Sequence, residues 1–247
     1  MSRSKVDFLI KELDIWTDNL IKLFFIVLLL IGSYISYDMW YVYHQSSKDV
    51  VNDYKPEEIT EESLKAISEK VVAWITIDDT NIDYPVLQGK DNVEYLNKNP
   101  FGEYSLSGSI FLDSRNQKDF SDDYNIIYGH HMTNGYMFGA LDYFKKESYF
   151  NQHREGTLTV GNQKYHLHII GILITDAGVD AVFDTDYSGK TPRIDVLKKE
   201  ALLWDDSKKG TLVALTTCKE PLTTSRTALI CRMYSDNRKG KNKSQSH

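Results

Sequence analysis

The chain has 247 residues, 41% of them hydrophobic and 26% charged, with a formal net charge of −6. That length suits one large domain or two small ones, and nothing in it repeats at a fixed period. The acidic balance argues against a nucleic-acid partner, since binding phosphate needs a basic face.

The first element is an apolar stretch, residues 23–37, that carries no charge. Lys22 can snorkel at one end, and Trp40, Tyr41 and Tyr43 extend the other, which brings the segment near the ~20 residues a membrane span needs. Residues 23–43 are therefore expected to form a retained transmembrane signal anchor. A cleaved signal peptide is the competing reading, but the apolar core starts far from Met1 and no Ala-x-Ala-like site follows it. Arg3, Lys5, Lys11 and Lys22 precede the span and only Lys48 lies close behind. The Lys and Arg asymmetry puts residues 1–22 in the cytoplasm and the body of the protein outside the cell. Residues 44–58 are polar and read as a juxtamembrane spacer.

A helix is expected next, with Ile59 and Thr60 in staple and N-cap positions, Glu61 and Glu62 in its first turn, and Leu64, Ile67 and Val71 on one face. Beyond it the period changes. Short β-prone runs occupy residues 73–77, 84–87, 109–112, 124–128, 157–160, 165–175, 211–217 and 227–234, separated by Gly, Asn and Asp turns. Eight strands in one domain point to a mainly β fold, a closed barrel or a sandwich. Helices interrupt at 137–144 and from Thr191 (N-cap) and Pro192 (first position) to Trp204, with Ile194, Leu197, Ala201 and Trp204 on one stripe. Residues 236–247, with Arg238, Lys239, Lys241 and Lys243, read as a solvated, disordered basic tail.

The chemistry-bearing residues gather at strand ends. The runs ending at Cys218 and beginning at Arg226 flank a short loop, and an antiparallel hairpin would put Cys218 opposite Arg226. The same register sets Cys231 near Val213, roughly 15 Å along the strand from Cys218, too far for a disulfide. Cys231 shares a face with Leu229 and Met233 and reads as a core thiol, which leaves Cys218 as a free cysteine suited to catalysis. A histidine partner comes from another strand-to-loop junction, where Gly129 ends an apolar run and presents His130 and His131. Arg232, deeper in the last run, reads as an outward-facing structural arginine. Thr216 and Thr217 either fix the cysteine turn or touch substrate, although hydroxyls ending a strand are common. His166 and His168 share a strand face, but no third ligand at metal spacing accompanies them; solvent-facing polar surface is the plainer reading, and no metal or other cofactor is expected.

These pieces together resemble a sortase, more narrowly a class B sortase: Leu215-Thr-Thr-Cys218, Arg226 opening the last strand, the Tyr128-Gly-His130 junction, and the stretch Val72-Ala-Trp-Ile-Thr-Ile with Asn81-Ile-Asp-Tyr-Pro-Val-Leu-Gln88. The similarity covers roughly residues 60–235, with histidine, cysteine and arginine in the family's order. It implies an eight-stranded sortase barrel in a catalytic domain over residues 59–235, with the N-terminal helix and the helix before the cysteine strand as class B additions. It further implies a membrane-anchored transpeptidase of Gram-positive bacteria. Cys218 would be the nucleophile, His130 rather than His131 the acid and base, and Arg226 the oxyanion partner. Its partners would be surface proteins bearing a C-terminal Asn-Pro-x-Thr-x or related Pro-x-Thr sorting signal, a peptidoglycan cross-bridge amine or a pilin lysine, and the lipid bilayer. Two other classes remain open at this point. A cysteine protease or amidase would finish with water, though Arg226 stands where such enzymes use a carboxamide. A non-catalytic surface receptor would be indifferent to loss of Cys218.

Overall fold

The computed structural model describes residues 3–45, 54–132, 135–176, 178–217 and 225–235. The chain divides into two units, Met1–His44 and Gln45–His247. The first is one helix, α1 (Arg3–Gln45), of 43 residues. Within it, Lys11–Tyr41 is long and apolar enough to cross a membrane. Two hydroxyls in this stretch bond back into the helix, Thr17 to the Leu13 carbonyl (3.0 Å) and Ser36 to that of Gly32 (2.8 Å), so neither needs a solvent partner. Residues 46–53 and the expected tail at 236–247 lie outside the described residues.

The second unit opens with segments that dock on the domain. Tyr54 meets Phe101 edge-on with ring centroids 5.3 Å apart, and Lys55 pairs with the buried Asp83. These contacts fall within the stretch read from sequence as a spacer. Helix α2 (Glu61–Ile67) starts at Thr60 as expected: the Thr60 hydroxyl accepts from the Ser63 amide and the Ser63 hydroxyl accepts from the Thr60 amide. It is shorter than its apolar spacing suggested. Ser68 turns extended, and Val71 opens the first strand rather than continuing the helix face, since adjacent β-branched residues favour pleated backbone.

Nine strands follow: β1 (Val71–Ile77), β2 (Asp83–Leu87), β3 (Ile110–Leu112), β4 (Tyr124–Gly129), β5 (Glu155–Val160), β6 (Gln163–Asp176), β7 (Ala201–Trp204), β8 (Thr211–Thr217) and β9 (Ser225–Ser235). Eight of them close a barrel in the order β5-β1-β2-β3-β4-β8-β9-β6, with β6 returning to β5. The mainly β, eight-stranded barrel expected from the sequence is the fold of the protein. Trp74, Ile75, Phe111, Ile126, Leu158, Ile169, Val213 and Leu229 are all buried in the core, which covers both faces of the sheet.

The ninth strand corrects the sequence reading. The helix expected from Thr191 to Trp204 spans only Arg193–Glu200 (α5), with Pro192 as its N-cap; Ala201–Trp204 is strand β7. β6 is 14 residues long and pairs with β9 along nearly its whole length, whereas β5 covers only its first half. The uncovered half offers a row of backbone groups to pair with, and β7 takes them through Gly171↔Trp204, Ile172↔Leu203 and Leu173↔Ala201. Satisfying that edge outweighs helix propensity in residues 201–204. Gly171 permits it, because a Cβ there would strike the Trp204 ring.

Two connections border the functional end. A 3-10 helix (Phe138–Lys145), at the position expected for a helix, buries Phe138, Leu141 and Phe144 and runs into α3 (Glu147–Gln152). The β6–β7 connection carries one turn of helix, α4 (Asp180–Phe183), before α5.

Candidate active site

Strand directions bring the ends of β4 and β8 and the start of β9 to one mouth of the barrel. β4 and β8 run parallel in register, Tyr124↔Leu212 through Gly129↔Thr217, so both end at one mouth of the barrel. β9 returns antiparallel from that mouth, Thr216↔Ala228 through Thr211↔Met233, and therefore begins where β8 ends. Arg226 also pairs with Thr175 of β6. His130 follows Gly129, Arg226 opens β9, and Cys218 follows Thr217 in sequence. Cys218 and the loop to residue 224 lie outside the described residues.

Gly129 is required by close packing: a Cβ there would fall on Ile110 Cδ1 and within 2.8 Å of the Phe138 ring. The His130 carbonyl accepts from the Phe138 amide (2.9 Å), and its Nε2 lies 2.7 Å from the Leu96 carbonyl. A carbonyl only accepts, so Nε2 carries the proton and a neutral ring keeps its lone pair on Nδ1. His131 faces elsewhere, with Nε2 2.8 Å from Asp142 Oδ2. Asp142 also bonds Lys145 (2.6 Å) and accepts from the Thr227 hydroxyl (3.4 Å). It thus links the segment after β4 to the start of β9. Burial would raise the Asp142 pKa, but Lys145 and His131 hold it below the usual carboxylate range.

Thr216 and Thr217 are buried; the Thr217 hydroxyl accepts from the Thr227 amide (3.1 Å), closing the hairpin mouth. Arg226 places its guanidinium carbon 4.8 Å from the centre of the Phe183 ring, and its buried Nε has no hydrogen-bond partner among the described residues.

The other candidates resolve into structural roles. Arg232 grips Asp206 with two bonds (3.1 and 2.7 Å) and donates to the Gly210 carbonyl. Cys231 is fully buried opposite Val213, as the expected register required, and burial pushes its thiol pKa up. His168 is buried rather than solvent-facing, with Nδ1 2.7 Å from Glu155, while His166 stacks on Tyr234. Among the described residues no group of three or more His, Cys, Asp or Glu could hold a metal.

Comparison with known proteins agrees with this arrangement. The Sortase domain family matches residues 75–233. Sortase B of Staphylococcus aureus (strain NCTC 8325 / PS 47) is 31% identical over 180 residues, 70% of this chain and 73% of the relative. The chain belongs to the class B sortases. The sortase is a cysteine transpeptidase of the kind that anchors proteins to the cell wall. The crystal structure of a Streptococcus pyogenes class B sortase involved in pilus biogenesis superposes with a TM-score of 0.63 at 39% identity, over 70% of this chain and 97% of that one. A Staphylococcus aureus sortase B–substrate complex gives 0.66 at 25% identity, over 77% and 92%.

Sequence reasoning missed a polar group beside the sortase site. Asp113, wholly buried, receives Arg115 Nε (2.9 Å) and Nη2 (2.8 Å), Asn92 Nδ2 (2.9 Å) and the Tyr128 hydroxyl (3.1 Å). Burial opposes ionisation of Asp113, yet Arg115 and Asn92 outweigh it and lower its pKa. Tyr128 moves the opposite way: burial and the Asp113 charge raise its pKa and keep it neutral. The only signal in the chain was the Asp113-Ser-Arg115 spacing, which carries no periodicity and reads as an ordinary turn.

Proposed function

We propose that the sortase cuts a C-terminal Asn-Pro-x-Thr-x or related Pro-x-Thr sorting signal after threonine and joins the new carboxyl end to a peptidoglycan cross-bridge amine. Cys218 is the nucleophile, His130 the acid and base, and Arg226 the oxyanion partner. The observation that supports this reading is the strand order: parallel β4 and β8 and antiparallel β9 bring Gly129, Thr217 and the start of β9 to one mouth, and Cys218 is the next residue in sequence after Thr217. The Cys218 thiol gives its proton to His130 Nδ1, the resulting thiolate attacks the threonine carbonyl carbon, and the oxyanion that forms draws on the donors of Arg226. As the intermediate collapses, the scissile C–N bond breaks and the leaving amine takes a proton from His130 Nδ1. That nitrogen handles the proton because Nε2 is bonded to the Leu96 carbonyl. The acceptor amine then attacks the thioester carbonyl, gives its proton to Nδ1 and expels the thiolate. Two acyl transfers replace one difficult amide exchange.

Residues 23–43 of α1 serve as a single-pass anchor, with residues 1–22 cytoplasmic, 44–58 juxtamembrane and the catalytic domain, 59–235, outside the cell. The charge asymmetry of the flanks and the length of the apolar helix support this. The resemblance to the Streptococcus pyogenes enzyme involved in pilus biogenesis makes a pilin lysine the second acceptor to test.

The decisive experiment incubates residues 45–247 with quenched fluorescent Pro-x-Thr peptides, with and without triglycine or a lysine peptide. The expected result is cleavage after threonine, a ligated product when an amine is present, and loss of turnover by at least ~10³-fold in C218A, H130A and R226A. Cleavage without ligation to any amine would sink the transpeptidase mechanism in favour of a hydrolase.

A further inference from the structure

Arg226 receives no hydrogen bond acceptor for its buried Nε among the described residues; the face of Phe183 is what lies against its guanidinium. An arginine so placed takes its direction from the ring, and the ring takes its own from α4. That helix is a single turn of four residues. Isolated helices below about 12 residues are marginal, so tertiary contacts must fix α4 in place. Arg115 supplies the contact nearest Phe183. One edge of its guanidinium is bonded to both oxygens of Asp113, while Nη2 also donates to the Phe183 carbonyl (2.8 Å) and Nη1 to Asp184 Oδ1 (3.1 Å). The planar fork thus has one end in a fully buried carboxylate and the other on the backbone of the residue that supports Arg226. Asp113 is itself held by Asn92 and by Tyr128, two residues before His130. Tyr124, through its hydroxyl to the Val182 carbonyl (2.9 Å), steadies the same turn.

We propose that Arg115 is a positioning residue for the transpeptidation site: clamped on Asp113, it holds Phe183 as the platform that sets the direction of the Arg226 guanidinium. The inference rests on the role assigned to Arg226 above. Lysine cannot replace Arg115, because an ammonium offers no second edge. Leucine cannot replace Phe183, because it has no π face, whereas tyrosine retains one.

The test compares R115K, F183L, F183Y and R226A in the peptide cleavage assay, with thermal melting and the Arg226 Nε–H resonance in 15N-labelled protein as independent readouts. R115K and F183L are expected to lose roughly ten- to hundredfold in kcat with little change in KM, the scale of a misplaced catalytic group. F183Y should retain activity within about threefold, because its ring persists. The Arg226 resonance should shift in R115K and F183L as the ring moves or disappears. Wild-type kcat in F183L, or an equal loss in F183Y and F183L, would overturn the proposal. Unchanged turnover in R226A would instead remove the reading on which it rests, so the two failures are distinguishable.

Discussion

Asp142 shows how one side chain can tie together the segments that carry the proposed catalytic groups His130 and Arg226. Its carboxylate bonds His131, Lys145 and Thr227, neighbours of His130 and Arg226 among them. Its folded pKa is depressed, so the stability it contributes is present above the unfolded value near 3.9 and is lost as pH falls through the lower folded value. D142N is expected to melt at a lower temperature than the wild type at pH 7, and the gap should begin to narrow as pH falls below about 4. Circular dichroism melts from pH 3 to 7 measure this; a gap independent of pH would contradict it. None of these contacts was legible in the chain, since His131 and Asp142 meet only because the 3-10 helix folds back on the end of β4. His130 and Arg226, by contrast, stood out beforehand, because a glycine-terminated apolar run and a hairpin register are local properties.

At the scale of elements, the approach of β4 to its neighbours leaves no room for a side chain at position 129. G129A would drive a methyl group into Ile110 and Phe138, a form of overpacking that costs about 1–3 kcal/mol. The expected outcome is a lower urea midpoint together with a larger drop in turnover than in stability, because His130 is the next residue. Unchanged stability in G129A would mean that Ile110 and Phe138 can yield. The boundaries read from periodicity were good where a segment met its partner along its whole length, as in β4, β8 and β9. They failed at residues 201–204, where the stripe of Leu197, Ala201 and Trp204 has helical spacing but the open half of β6 recruits the segment as β7. An unpaired edge belongs to the assembled sheet and leaves no mark on the strand that fills it.

For the molecule as a whole, closure of the barrel encloses one of the chain's two cysteines. Cys231 lies in the core with its thiol pKa raised by burial, so it is neutral and shielded from solvent. Iodoacetamide is therefore expected to modify the native protein at Cys218 alone, and C218A should stay unlabelled until denaturant is added. Mass spectrometry reads this directly; labelling of native C218A would show that the core opens. The barrel class was visible in the sequence, while the parallel pairing of β4 with β8, which sets the proposed catalytic residues at one mouth, was not.

That pairing also governs how the molecule must assemble. β1 finds β5, and β4 finds β8, across roughly ninety positions of chain, a topology of high contact order that folds in milliseconds to seconds rather than microseconds. With synthesis at about 5–20 residues per second, β4 waits several seconds for its partner to emerge. The mouth that gathers His130 and Arg226 is completed only when β8 and β9 arrive, so a chain cut short between the end of β4 and the start of β8 has the histidine but no site to put it in.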